Sequence, residues 1–129
     1  MLTSARPDLD AYNAALTMST AELVTALREL LGAKLVAYLG KVKETRAVRQ
    51  WAQGSRGIAN PTDVDRLRVA YRAARMIAER DNKSVAQAWF QGLNPLLDDV
   101  APARLLRDGE LEVVGPRVLS AARQFAAVG

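Results

Sequence analysis

Asn60 and Pro61 open a register in which Leu67, Ala70, Tyr71, Ala74, Ile77 and Ala78 fall on one stripe at helical spacing as far as Arg80. Asparagine is a strong N-cap, and proline at the first helical position gives up an N–H that has no intrahelical partner there. Arg66, Arg68, Arg72 and Arg75 surround the stripe, so the segment reads as one long amphipathic helix with its arginines turned to solvent. Half the residues are apolar yet only 5% are aromatic, and the remainder is rich in Ala, Leu and Arg, which favours helix over strand along the whole chain. The expectation is an all-α fold.

Other helices carry their own punctuation. In "STAE", Ser19 can cap the free amides of a helix and Glu22 can reciprocate three residues on; Leu23, Leu27, Leu30 and Leu31 follow, and Gly32 ends the run. Ala33 to Leu39 makes a short helix before Gly40. After the connector "GKVKE", a third runs from about Glu44 to Gln53, with Val48 and Trp51 inward and Arg46, Arg49, Gln50 and Gln53 outward. "GSRGIANP" is turn chemistry. Beyond Arg80, Ser84 with Gln87 forms a second capping box for a helix ending at Gly92. Asn94-Pro95 turns the chain and Pro102 opens a helix through Leu106 that Gly109 closes. Gly115-Pro116 begins a last helix with Val118, Leu119, Ala122 and Phe125 on its apolar face. Asp98-Asp99 reads as a helix-capping pair, and residues 1–18 as a loose arm or a swapping element.

The chain has 129 residues, enough for one domain or a small domain with an appended subdomain. It contains neither cysteine nor histidine, which removes disulfides, thiol nucleophiles, imidazole bases and Cys/His zinc sites together. No clustered set of carboxylates, lysines or hydroxyls stands out, so the chain is read as no enzyme, with no cofactor. Its start, "MLTSARPDLDAYNAAL", lacks a basic head with a long apolar run, and no membrane-length apolar segment occurs. That reads as a cytoplasmic protein.

The net charge of +4 is unevenly spread. Between Lys34 and Arg80 eleven basic residues face four acidic ones, whereas from Asp81 to Gly129 five face six. A front half of this kind faces a polyanion, or else its arginines merely solvate helix surfaces. Two short helices joined by a Gly-containing turn, the second presenting Arg and Gln from an apolar anchor, form the pattern of a helix-turn-helix unit. Arg binds guanine in a bidentate fork and Gln binds adenine, so Arg46, Arg49 and Gln50 are candidate base readers. Lys41, Lys43 and Arg56 stand at the helix ends, where phosphate contacts would set register. The connector between Leu39 and the reading helix is longer than the tight turn of that motif.

The run Ala88-Trp89, Asn94-Pro95, Leu97, then Pro102, Leu105-Leu106 and Gly109, then Val118 and Ala121-Ala122, resembles the toxin-binding domain of the Xre/MbcA/ParS antitoxin family. The likeness covers roughly Ser84 to Gly129, and Arg46, Val48, Trp51 and Gly54 look like that family's helix-turn-helix, "R-x-V-x-x-W-x-x-G". The resemblance implies an N-terminal helix-turn-helix bundle over residues 19–80 and a small helical toxin-binding domain over 81–129. It implies an antitoxin that binds a RES-domain NAD-degrading toxin, blocks its active site, and represses its own operon by binding operator DNA, as a homo-oligomer within the complex. Trp89, Asn94, Leu97, Leu105, Leu106, Arg107 and Phe125 would then meet the toxin. The small-residue tail Ala126, Ala127, Val128 and Gly129 would enter the mouth of its NAD pocket. Each of the large apolar residues has a plainer reading as core. The alternative function is a free-standing helix-turn-helix transcriptional regulator whose C-terminal half serves dimerisation.

Overall fold

The structure, a computed structural model, describes residues 6–128. These form eight α-helices: α1 Pro7–Thr17, α2 Thr20–Leu31, α3 Ala33–Leu39, α4 Thr45–Gln53, α5 Pro61–Arg80, α6 Lys83–Gln91, α7 Pro102–Asp108 and α8 Leu111–Val128. A single 3-10 turn, Pro95–Leu97, lies between α6 and α7, and Asn94 and Val100 make an isolated bridge across it. The chain is all-helical, and no described helix is long and apolar enough to cross a membrane.

Where the sequence carries caps, the helices obey them. The Ser19 hydroxyl accepts from the Glu22 amide at 3.2 Å and the Glu22 carboxylate accepts from the Ser19 amide at 2.9 Å. These bonds to Ser19 hold the Glu22 carboxyl below the ordinary glutamate range. Asn60 Oδ1 accepts from the Thr62 amide at 2.9 Å ahead of Pro61. Ahead of α6, however, the cap is Asn82 and not Ser84: Asn82 Oδ1 accepts from the Val85 amide at 3.0 Å. Gln87, freed from a capping box, donates to the Leu30 carbonyl at 3.1 Å in the last turn of α2. Two good cap residues stand within three positions here; Asn82 takes the cap and Gln87 makes a tertiary bond.

α8 begins at Leu111, so Pro116 lies inside it instead of starting it. A proline there forfeits one backbone bond, and its ring crowds both the carbonyl four residues back and the Cβ of the preceding residue. That residue is Gly115, which has no Cβ and is itself buried. One of the two crowding contacts is thereby absent, which eases the passage of Pro116 through the helix. Asp98 and Asp99 do not N-cap α7, whose N-cap is Ala101, but Asp98 is the C-cap of the 3-10 turn; both are left-handed, with φ of 57° and 61°, and Asp98 pairs with Arg117 of α8 at 3.0 Å. Pro7–Thr17, read from sequence as part of an arm, is a helix that buries Ala11 and Ala15 against α5.

α5 is the axis of the molecule: it packs on α1, α2, α3, α6, α7 and most extensively on α8. Its buried face includes the small residues Ala70, Ala73 and Ala74 beside larger ones, and Ala121 and Ala122 are buried on α8, small side chains of the kind that let helices approach closely. One apolar core runs through both halves, from Leu23 and Leu27 through Leu67 and Ile77 to Phe90, Leu106 and Val118.

The arginines of α5, expected to face solvent, are instead drawn into the fold. Arg66 is 4% exposed; its Nε donates to the Leu106 carbonyl at 3.1 Å and its Nη1 to the Leu39 carbonyl at 3.3 Å and to Asp63 at 2.7 Å. Those carbonyls close α3 and the last turn of α7, where a cation meets the negative ends of two helix dipoles. Arg68 donates to the Ala15 and Met18 carbonyls at the end of α1. Arg75 bonds Glu79 at 2.8 Å and reaches the Asp10 carbonyl. Arg72 stacks over the Tyr12 ring at 4.8 Å, its guanidinium made less basic by burial and by nearby Arg123.

Replacing Arg66 by Ala leaves two buried carbonyls and Asp63 without their donor. We expect it to lower the unfolding free energy by about 3 kcal/mol, as loss of one partner from a buried ion pair does. Urea denaturation of the variant beside Arg80→Ala, an exposed arginine of the same helix, measures the difference.

Candidate functional site

Two concave surfaces carry the residues that the sequence singles out. The first is built on α4. Val48 and Trp51 are buried, with Ala47, and hold the helix on α2 and α3; this leaves Arg46 and Arg49 exposed and Gln50 half-buried. Past α4, Gly54 takes a φ of 75°, a left-handed value that glycine adopts at least cost. The chain then doubles back, the Ser55 and Arg56 amides both donating to the Gln50 carbonyl at 3.1 and 3.3 Å. Arg56 is thereby folded toward α4. Lys43, Arg46, Gln50 and Arg56 line one groove of about 370 Å³ together with Val42, Glu44 and Ala47. Lys41 and Arg49 are exposed nearby but do not line it.

What distinguishes this groove from the rest of the basic half is that its cations are unengaged. Among the described residues Lys41, Lys43, Arg46, Arg49 and Arg56 make no ion pair, whereas every arginine of α5 from Arg66 to Arg75 is bonded or stacked inside the fold. The groove is thus a place where positive charge is unsatisfied by the protein itself, the condition for holding phosphates.

The angle at which α4 leaves α3 rests on a steric exchange in the connector Gly40–Glu44. Gly40 is helical, with φ −83°, and a Cβ there would lie 2.8 and 2.9 Å from two carbons of the Trp51 ring. Glycine is therefore spent on the contact. The left-handed position that ends a helix in this way then falls to Lys41, at φ 60°. Its amide donates to the Tyr38 carbonyl at 3.3 Å and the Val42 amide to the Ala37 carbonyl at 3.0 Å, the paired bonds of a Schellman stop.

The second surface is an apolar groove of about 770 Å³ between α6, the turn after it, and the end of α8. Val85 and Ala88 line it from α6, Ala121, Gln124 and Val128 from α8, and Gly92 to Leu96 from the turn. Trp89 stacks edge-on against Phe90 at 5.2 Å and tilts against Phe125 at 6.4 Å, so an aromatic cluster forms the floor. Leu93 at 76%, Leu96 at 52% and Val128 at 79% are the most exposed large apolar side chains near it. Among the described residues no charged side chain lines it.

Of the residues expected at a protein contact, Trp89, Asn94, Phe125 and Val128 meet in this groove. Leu97 and Leu106 do not: at 1% and 0% exposure they are core, and they support the surface from beneath. Leu105 is half-buried against the core. Arg107 is engaged elsewhere, stacked over Tyr38 at 4.7 Å and donating to its carbonyl, so it serves the end of α3. Ala126, Ala127 and Val128 belong to the last turn of α8 and form no separate tail, and Gly129 lies outside the described residues. Leu93 and Leu96, the two outward leucines, were missed because an alternating Leu-Asn-Pro-Leu-Leu turn has no period from which to tell outer from inner leucines.

No family model, no curated protein and no solved structure matches the chain.

The exchange at Gly40 and Lys41 gives two opposite expectations for adjacent residues. Lys41→Gly, which relieves a left-handed non-glycine residue, should raise the unfolding free energy by about 1 kcal/mol. Gly40→Ala, which drives a methyl into a buried indole, should lower it by roughly 1–3 kcal/mol. Thermal melts of the two variants side by side check both.

Proposed function

We propose that the chain is an antitoxin of a type II toxin–antitoxin system. It binds a RES-domain NAD-degrading toxin through the apolar groove between α6 and α8, obstructs the toxin's active site, and represses its own operon through the basic groove on α4. The observation that carries the reading is the groove itself: an uncharged surface with an aromatic floor, rimmed by Leu93, Leu96 and Val128, large apolar groups left in water. Such a surface is characteristic of a site that a protein partner covers. The resemblance of the same segment to the toxin-binding domain of the Xre/MbcA/ParS family supplies the identity of that partner. The unengaged cations of Lys43, Arg46 and Arg56 support the second role, phosphate contact on operator DNA.

Leu93→Asp tests the first role without threatening the core, since Leu93 is 76% exposed. The variant should melt as the parent does, fail to co-purify with a RES-domain toxin, and fail to prevent NAD loss when the two are produced together. A variant that still silences the toxin removes the groove from the reading. If Leu93→Asp changes only the oligomeric state, and no RES-domain protein binds the parent, a free-standing regulator with a C-terminal dimerisation surface takes the antitoxin's place.

For the second role, Arg46→Ala combined with Arg56→Ala should abolish retardation of promoter DNA while leaving toxin neutralisation intact. In the parent, log K should fall with log salt by about 0.9 per phosphate neutralised. Arg72→Ala, altering an arginine held on Tyr12, should leave that slope unchanged.

A further inference from the structure

We infer that Glu44 reads a cytosine, its carboxylate accepting from the exocyclic N4 amine in the major groove, and so sets which sequence the α4 groove prefers. This rests on the DNA-binding role proposed for that groove. Glu44 is the one acidic residue among those that line it, beside Lys43, Arg46, Gln50 and Arg56. It is exposed, and among the described residues it makes no ion pair with any of those cations. Nor does it serve its own helix. It holds the N-cap position of α4 with an extended backbone, φ −121° and ψ 141°, yet makes no side-chain capping bond there. Short polar side chains suit that position, and Ser19, Asn60 and Asn82 fill it on α2, α5 and α6 with a bond each. A carboxylate in a groove that holds phosphates weakens the grip on every duplex, whatever its sequence. What offsets that loss lies at a base edge, which the first residues of a recognition helix are placed to reach. There cytosine N4 is a donor that a glutamate accepts, whereas thymine presents the O4 acceptor and a methyl group instead. Beside Arg46 for guanine and Gln50 for adenine, Glu44 gives the groove a group for the third kind of edge.

The probes are short DNA duplexes. The full chain selects its preferred site from a pool with a randomised centre; each base pair of that site is then replaced in turn, and binding is read by fluorescence anisotropy. The parent should lose about tenfold in affinity when one C·G pair becomes T·A, the worth of one base contact. In Glu44→Gln the same replacement should cost less than about twofold, because an amide accepts from cytosine and donates to thymine alike. Losses at the other pairs should match those of the parent. Glu44→Gln should also bind a duplex of unrelated sequence several-fold tighter, since a negative charge has left the groove. A variant that gains affinity equally for all duplexes and keeps the tenfold loss overturns the inference, and so does a parent that binds DNA with no preference at any C·G pair. In both cases the groove remains a site for phosphates. A parent that binds no duplex at all overturns the inference together with the DNA-binding role on which it rests.

Discussion

Arg66 is the point at which the two halves of this chain become one structure. Its guanidinium, planar and forked, reaches the end of α3, the last turn of α7 and its own neighbour Asp63 at once. A lysine offers one point charge and could not span three acceptors in different directions. α3 and α7 are only seven residues each, too short to hold their own ends by cooperativity. Their terminal carbonyls need a partner in a place that water does not reach, and Arg66 supplies it. Arg107 repeats the device from the other side, donating to the Tyr38 carbonyl one residue before. The C-terminus of α3, from which the basic groove starts, is thus fixed by side chains from α5 and α7.

A consequence is that neither groove is an appendage. α4 is placed by the Trp51 ring on Gly40, a contact of shape; among the described residues the buried indole Nε1 meets no hydrogen-bond partner. The apolar groove is placed by α6 and α8, both of which pack on α5. Small residues along α5 and α8 bring these helices close, and the core passes without interruption from one set to the other. Each surface inherits its rigidity from the same central helix.

Much of this was legible where a local rule has no rival. Ser19 with Glu22 and Asn60 with Pro61 are helix starts by stereochemistry, and the structure keeps both. Val48 and Trp51 are buried as their spacing requires. Rules failed where a second constraint competed. Pro116 reads as a helix start because proline usually is one, yet it lies inside α8, where Gly115 before it removes one of the contacts that disfavour that placement. Ser84 yields the cap to Asn82, and the Gln87 that would have completed its capping box bonds a carbonyl on another helix. Of the groove, the aromatic floor could be found from Trp89 and Phe125, but the leucines of its rim could not, since a turn carries no periodicity.

The arginines show the limit most clearly. From sequence, Arg46 and Arg66 look alike: each stands one or two residues from an apolar position on an amphipathic helix. What separates them is whether another helix ends beside them. α5 is long and central, so the C-termini of α1, α3 and α7 all terminate along it, and each presents carbonyls that a guanidinium can satisfy. α4 is short, and among the described residues no helix carbonyl accepts from Arg46, which is exposed and keeps its charge for solvent or a ligand. The excess of basic residues between Lys34 and Arg80 therefore overstates the polyanion-facing surface, because four of its eleven basic residues, Arg66, Arg68, Arg72 and Arg75, are consumed as internal helix capping and stacking. What is left is smaller, localised to one groove, and for that reason more informative than the total.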